Sequence, residues 1–451
     1  MTSPKSHPKI GLRSRRRQRD IPAAEVLKLP DPEEMQRLPV VILASRKATD
    51  PRAVDALSVD LWSGRVVLPV PLYPPMLPLL ILPDSSLLRV VPGSVQRISQ
   101  ITGEVDRERG GFTDNRTESR FGLRGTDLGA SFEHKGRLVF LFGDTWPTGH
   151  NTPDRPIDGD SIAFSNDKNP DDGLTLDFLT ASDSDYLTVN VPGLSLGGFE
   201  VPNGGFSDGR SMYAYFTTEA RFPPGGATMN RCVLLKSQDG RAWKQIHTVS
   251  TYKFINVSPV VVDAAKTTGL PFKTGKAVLL WASGRLYRHS NPHLACVPLE
   301  RTEDQSALRY WSGEGTWSAN EADARPLFEH PQLGEVSVAW NEPFRRWIML
   351  YNSGNPRGIV MRTSETPWGP WTEPDVLYNP QDGYGKYMHV SWKSDRVDSV
   401  HDPRRENDYG GEYAPYMIPK FSKKNGTIYF VMSTWNPYNV VLMRAKLEVR
   451  H

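Results

Sequence analysis

The sequence predicts an all-β fold, a five-bladed β-propeller of four-stranded antiparallel blades. Three observations carry that expectation. A pair of apolar, strand-like runs recurs five times along the chain. The second runs of successive pairs begin about 50 to 80 residues apart, a period that belongs to propellers and solenoids rather than to a chance series of hairpins. The composition suits many short strands joined by turns: Trp, Tyr and Phe make 10% of the chain, with 37 Gly and 38 Pro.

The first run of each pair is LVFLFGDTW (138–146), SMYAYFTTE (211–219), KAVLLWASG (276–284), RWIMLYNSG (346–354) and TIYFVMSTW (427–435). The second is DSIAFS (160–165), CVLLKS (232–237), RLYRHS (285–290), GIVMRTS (358–364) and NVVLMRA (439–445). A further strand-like segment precedes each pair, as in TDLGASFEHKGR and EVSVAWNEPFRR. Polar, Trp-containing segments such as SQDGRAWKQI and SETPWGPWTEP follow, with the character of outer-edge strands. The third unit takes its fourth strand from residues 296–327. The fifth has none of its own, because the chain ends at 451. SVQRISQITG (94–103) is expected to supply it and so to close the ring without exposed edges.

The chain therefore divides into an N-terminal extension, 1–90, and a propeller, 91–451. The extension is basic and disordered over its first 20 residues and Leu/Pro-rich after that. RSRRRQR within it reads as a solvated tail before it reads as a nuclear-localisation signal. The basic start is not followed closely by an apolar run, so no signal peptide is read. The most apolar window, 66–83, contains six prolines, which argues against a membrane helix. A net charge of +3 points to neither a nucleic-acid nor a membrane partner. Cys232 and Cys296 allow one disulfide at most. The chain is read as a monomer.

In such a blade the start of strand one, the end of strand two and the start of strand three share one face, so their residues converge on a central pocket. Aligning the five units puts Asp127, Glu200, Asn256, Glu335 and Glu412 at the start of strand one. Asp144 ends strand two of the first blade and Asp160 starts its third. Like charges gathered without partners repel, so an acid ring marks a cation, a basic partner or acid–base chemistry. The loops on that face offer Trp146, His150, Asn203, Trp281, Asn352, Trp435 and Asn436. The longest, 379–411, adds Tyr387 and His389. Flat aromatic faces interleaved with short polar groups suit a polyhydroxylated ligand, a polysaccharide or oligosaccharide. The sequence carries no phosphate loop and no zinc-ligand spacing, so no cofactor or metal is assigned. Structural readings compete: Asp144 as a turn cap, Asp127 as an Asx turn, and Asp160 as a loop-orienting group. His134 is read as solvated. Ser165, Ser237, Ser290 and Ser364 recur at one blade position and are read as turn formers.

At GTDLGASFEHKGRLVFLFGDTW and DGDSIAFSNDKNPDDGLTLDF the sequence resembles domain-of-unknown-function family 4185. Weaker resemblance continues through FEVPNGGF, SQDGRAW and GEYAPYM, covering about residues 94–448. The characterised members of that family are five-bladed-propeller glycoside hydrolases, endo-D-arabinanases that cut mycobacterial cell-wall D-arabinan. The resemblance implies an endo-acting glycosidase for an arabinofuranose-containing polysaccharide. It also implies secretion, which the N-terminal extension does not match. The family's acids carry over at Asp127 and Asp144. A two-carboxylate mechanism would use Asp127 as base or nucleophile and Asp144 as its first partner, with Glu200, Glu335 and Glu412 competing. The rival reading is a non-catalytic carbohydrate-binding propeller; a protein-interaction propeller ranks below both.

Overall fold

The structure, a computed structural model, describes residues 87–106, 108–149, 151–330, 332–379, 411–434 and 438–450. Five antiparallel sheets follow one another along the chain. Their innermost strands touch in the order one, two, three, four, five and back to one, which closes a ring. Blade one is Leu123–His134, Arg137–Pro147, Gly159–Ser165 and Asp177–Phe178. Blade two is Pro202–Ser207, Met212–Arg221, Thr228–Ser237 and Lys244–Ser250. Blade three is Asn256–Asp263, Lys276–Ser283, His293–Pro298 and Arg309–Gly313, with Thr316–Ser318 added at its rim. Blade four is Leu333–Asn341, Arg346–Gly354, Arg357–Ser364 and Asp375–Tyr378. Blade five is Glu412–Met417, Thr427–Thr434 and Asn439–Arg450.

The second strands each carry a central apolar run because both of their faces are buried there. Successive side chains of a strand point to opposite faces. In blade one, Leu138, Phe140 and Phe142 pack toward blade five, while Val139 and Leu141 pack toward blade two. The same division recurs around the ring, giving one apolar cluster at each of the five blade interfaces. Serine hydroxyls lock three of those interfaces. Ser258 accepts from Val338 N, Ser337 from Met417 N, and Ser433 from Leu128 N, at 2.8–3.0 Å.

Closure follows the expected route and extends it. Gln96–Gln100 pairs with Val441–Arg444, and a second N-terminal strand, Leu87–Val90, pairs with Leu447–Arg450. The extension 1–90 is described only from Leu87 onward, so its proposed disorder and composition-based reading lie outside the described residues.

Blade three departs from expectation. Residues 285–290 (RLYRHS) form an irregular loop, and the third strand is His293–Pro298. HLACVP is apolar after its first residue and buried throughout, as a strand held between two neighbours must be. Arg285, Arg288 and His289 would have brought charge into that slot. Cys232 and Cys296 are both buried and free, each on the third strand of its own blade. His134 is buried, not solvated: Nδ1 lies 2.7 Å from Ser207 Oγ, and burial lowers its pKa. Ser165, Ser237 and Ser364 do shape turns, accepting from Asp167 N, Gly240 N and Thr366 N. Ser290 lies in the blade-three loop and donates to Leu286 O instead.

Candidate functional site

Asp127 and Asp144 are brought together by an irregular strand pair. In register, Asp127 faces Gly143 across the first two strands of blade one. In a regular strand the next residue would point the other way. Here the ladder shifts between Gly125 and Asp127 and again between Leu128 and Ala130, and it breaks between Phe142 and Thr145 toward the third strand. Bulges of this kind re-aim side chains. Asp144 completes the turn with a φ of 42°, a left-handed conformation that a non-glycine residue holds at a cost. Both acids then line one cavity of about 590 Å³. A chain of hydroxyls braces the bulge from behind: Thr126 to Thr145 at 2.8 Å and Thr145 to Ser161 at 2.9 Å.

The same cavity receives Asp158, Asn203, Asn256, Glu335, Arg288 and three tyrosines, Tyr287, Tyr413 and Tyr438. Glu335 is firmly placed. Its Oε1 accepts from Tyr287 OH at 2.8 Å and from the Arg288 guanidinium at 3.1 Å, and its amide donates to Asn352 Oδ1 at 2.9 Å. Gly334 allows that last bond, because a Cβ there would fall 2.2 Å from Asn352 Oδ1. Leu128, Asp158, Phe199 and Arg288 join Asp144 in the left-handed region. Strained backbone is thus concentrated around this cavity, a pattern that recurs at functional sites.

The two acids differ electrostatically. Burial pushes Asp127 up to about 7, against the pull of hydroxyl hydrogen bonds from Tyr413 (2.9 Å) and Tyr438 and of the Arg288 charge. Asp144 is raised well above the usual carboxylate range, first by burial and then by Asp127 and Asp158. Only a bond from Phe199 N, at 3.0 Å, counters this. Burial thus holds both carboxyls toward the protonated form, and the charge of Asp127 raises Asp144 further. Two interacting carboxyls of this kind are the groups that can divide between proton donor and base or nucleophile.

The remaining residues expected at the site fall into three groups. Asp127, Asp144, Asn203, Asn256 and Glu335 line the cavity. Trp146, Asp160, Glu200, Asn352 and Glu412 stand outside its lining. Trp146 donates to Asp158 Oδ1 at 2.6 Å and packs its edge on Tyr438, so it holds two lining residues in place. Asp160 is completely buried, with its pKa raised well above the usual carboxylate range by burial and then by Asp144. Glu200 accepts from Ala220 N at 3.1 Å. Glu412 is buried with its pKa raised by desolvation, 3.5 Å from Arg357. Trp281 has no part in the pocket. It lies in the core between blades three and four, fully buried against Trp347, with Nε1 donating to Pro367 O. Strand alternation turns it away, since its neighbours Leu280 and Ala282 face blade two. His150, Tyr387, His389, Trp435 and Asn436 lie outside the described residues.

Sequence reasoning missed Tyr287, Arg288, Tyr413, Tyr438, Asp158, Phe199 and Phe222. Tyr287 and Arg288 were hidden by reading RLYRHS as a strand. The signal that would have freed them is the more apolar HLACVP eight residues on, whose Cys296 falls in the same third-strand run as Cys232 of CVLLKS.

Comparison with known proteins places the chain in context. It is 24% identical over 346 residues to notoamide biosynthesis cluster protein J of Aspergillus sp. (strain MF297-2), covering 71% of this chain and 82% of that protein. It is 25% identical over 312 residues to cluster protein J' of Aspergillus versicolor, covering 64% and 83%. Among solved structures, an exo-β-1,3-galactanase from Phanerochaete chrysosporium aligns with a TM-score of 0.41 at 9% identity. That alignment covers 78% of this chain, which spans 64% of the galactanase's own length. An α-L-arabinofuranosidase from Podospora anserina aligns with a TM-score of 0.39 at 12% identity, covering 79% and 98%. The first-blade pattern that builds the acid pair lies inside a longer match, residues 112–444, to the model of a domain of unknown function, DUF4185, and it is to this family that the chain belongs.

Proposed function

We propose that the protein is a glycoside hydrolase that cuts a furanoside bond, with arabinofuranose-containing polysaccharide of the D-arabinan type as the first substrate to test. The observation that carries this reading is the Asp127–Asp144 pair: two interacting carboxyls in one cavity, both raised by burial. Hydrolysis of a glycoside needs one carboxyl as proton donor and another as base or nucleophile. Asp144 gives its proton to the leaving oxygen as the bond from the anomeric carbon breaks. Asp127 either takes a proton from the water that attacks that carbon or attacks it directly, water then releasing the sugar. Asn203 and Asn256 are within the cavity to meet sugar hydroxyls, and Arg288 and Tyr287 hold Glu335 at its wall. The resemblance to endo-D-arabinanases in the first blade supports the sugar and the endo mode.

One observation favours a second reading, a non-catalytic carbohydrate-binding propeller. Every acid of the cavity wall already has an internal partner: Glu335 has Arg288, Asp127 has Tyr413, and Asp144 has Phe199 N. Incubating the full chain and its Asp127→Asn and Asp144→Asn variants with D-arabinan and an L-arabinan control separates the two. Oligosaccharides released from D-arabinan by the wild type and reduced by about a thousandfold or more in either variant are expected. Release from L-arabinan alone would keep the hydrolase and change the sugar. Binding without release in all three proteins would establish the lectin.

A further inference from the structure

The cavity is not lined by acids alone. Beside them, blades two and three and the segments that lead into them supply Phe199, Phe222, Met229 and Ile255 to the same lining. Phe199 packs edge-to-face on Phe222, with centroids 5.3 Å apart at 69°, and on Tyr287 at 5.5 Å and 89°. Phe222 is 62% exposed and Phe199 37% exposed, so two large apolar rings meet water at the cavity. Exposed apolar surface of that kind marks a place where something binds. Phe199 also holds a left-handed backbone, φ 70°, while its amide fixes Asp144. One residue therefore ties the aromatic wall to the acid pair.

The hydroxyls on this wall are already committed. Thr217 donates to Phe199 O at 3.0 Å and accepts from Val201 N at 3.0 Å, and Tyr287 OH donates to Glu335. A sugar ring set against Phe199 and Phe222 would gain no hydroxyl partner from Thr217 or Tyr287 in exchange for the water it loses. A planar apolar group loses nothing and gains ring contacts. The whole cavity, about 590 Å³, has the size of sites that enclose a small two-part molecule.

We infer that the cavity also accepts a small glycoside whose sugar meets the acids and whose planar, apolar aglycone lies against Phe199, Phe222 and Tyr287. The sugar half of this inference rests on the glycosidase reading; the aromatic half does not. Hydrolysis would break the bond between the anomeric carbon and the aglycone oxygen, the oxygen taking its proton from Asp144 and the carbon its hydroxyl from water.

The test uses the full chain and three probes: 2-naphthol, 2-naphthyl α-D-arabinofuranoside and methyl α-D-arabinofuranoside. Binding is followed by calorimetry and hydrolysis by product analysis, with D-arabinan alongside. The wild type is expected to bind 2-naphthol, and to bind the naphthyl glycoside more tightly than the methyl glycoside. Phe222→Ala should weaken 2-naphthol about three- to tenfold, the range set by one aromatic contact. Phe222→Trp should retain binding, and thermal melts should show both variants folded. No 2-naphthol binding by the wild type, or equal binding by Phe222→Ala, overturns the aromatic subsite. If D-arabinan is cut while 2-naphthol does not bind, the subsite falls and the glycosidase stands. If 2-naphthol binding follows Phe222 and no glycoside is cut, the subsite stands and the glycosidase falls.

Discussion

At the scale of single residues, the site is built against stability, and pH should reveal it. Asp127 has an ordinary pKa of 3.8 when unfolded and about 7 when folded. The folded state thus holds the proton more tightly, so this group favours folding below pH 4 and loses that contribution as pH rises toward 7. Asp144 and Asp160 are displaced in the same direction by burial. Asp127→Asn removes the ionisation and keeps an acceptor for Tyr413. It should therefore stabilise the protein at pH 8 by about 4 kcal/mol and by less than half of that at pH 5, the gain following from about 1.4 kcal/mol per pKa unit. Thermal melts at the two pH values check this; an equal change at both would remove the buried acid as its cause. The same electrostatics set activity. Asp127 must ionise to act, so kcat/KM for a cleaved glycoside should rise through about pH 7. Arg288 pulls Asp127 down, so Arg288→Gln should move that rising limb to higher pH. A limb that stays in place would detach Arg288 from Asp127.

Elements show how far sequence reaches. The second strands were legible because both faces are buried, and runs such as LVFLF and YFVM admit little else. Register alone brought Asp127 and Glu335 to the cavity, while Glu200 and Glu412, taken from the same register, stand outside its lining. What escaped was irregular: the bulges that turn Asp144 toward Asp127, and the blade-three loop that brings in Arg288. Periodicity describes regular backbone, and a site made of bulges and left-handed residues departs from it. Trp281 failed for the opposite reason. It lies on a regular strand, where alternation sends it to the core. The first strand of blade four illustrates the cost of such irregularity. Its ladder slips between Leu333 and Val336, and Gly334 leaves room for Asn352 to hold the Glu335 amide. Gly334→Ala should push Asn352 aside, destabilise the fold by about 1–3 kcal/mol and lower kcat/KM about ten- to a hundredfold through a misplaced Glu335. Denaturant melts and steady-state kinetics on that variant check both. Unchanged kinetics would mean that the position of Glu335 does not matter to turnover.

Over the whole molecule, stability depends on closing the ring, and two devices at the seam between blades five and one can be ranked by magnitude. The first is ionic. Asp171, in the turn after the third strand of blade one, meets Lys423, Arg444 and the Tyr429 hydroxyl of blade five. The three charged side chains are a third or more exposed, and water screens such pairs, so Asp171→Ala should cost no more than about 1 kcal/mol. The second is the pair of N-terminal strands on Asn439–Arg450. They supply backbone partners to an edge otherwise open, and they bury Leu88 against blades four and five and Ile98 in the blade one–five core. Nearby, Asn115 stitches the same seam: its side chain donates to Ile101 O and Leu174 O and accepts from Leu176 N, each at 2.8–2.9 Å. It is fully buried. Lost strand pairing, apolar burial and a bared edge add up to several times the ionic term. A chain beginning at Ile101 should therefore melt many degrees lower than the full protein and self-associate through the open edge, whereas Asp171→Ala should melt within a few degrees of it. Calorimetry with light scattering decides the ranking: if Asp171→Ala lowers the melting temperature as far as the truncation does, the seam is held by charge and not by strand addition.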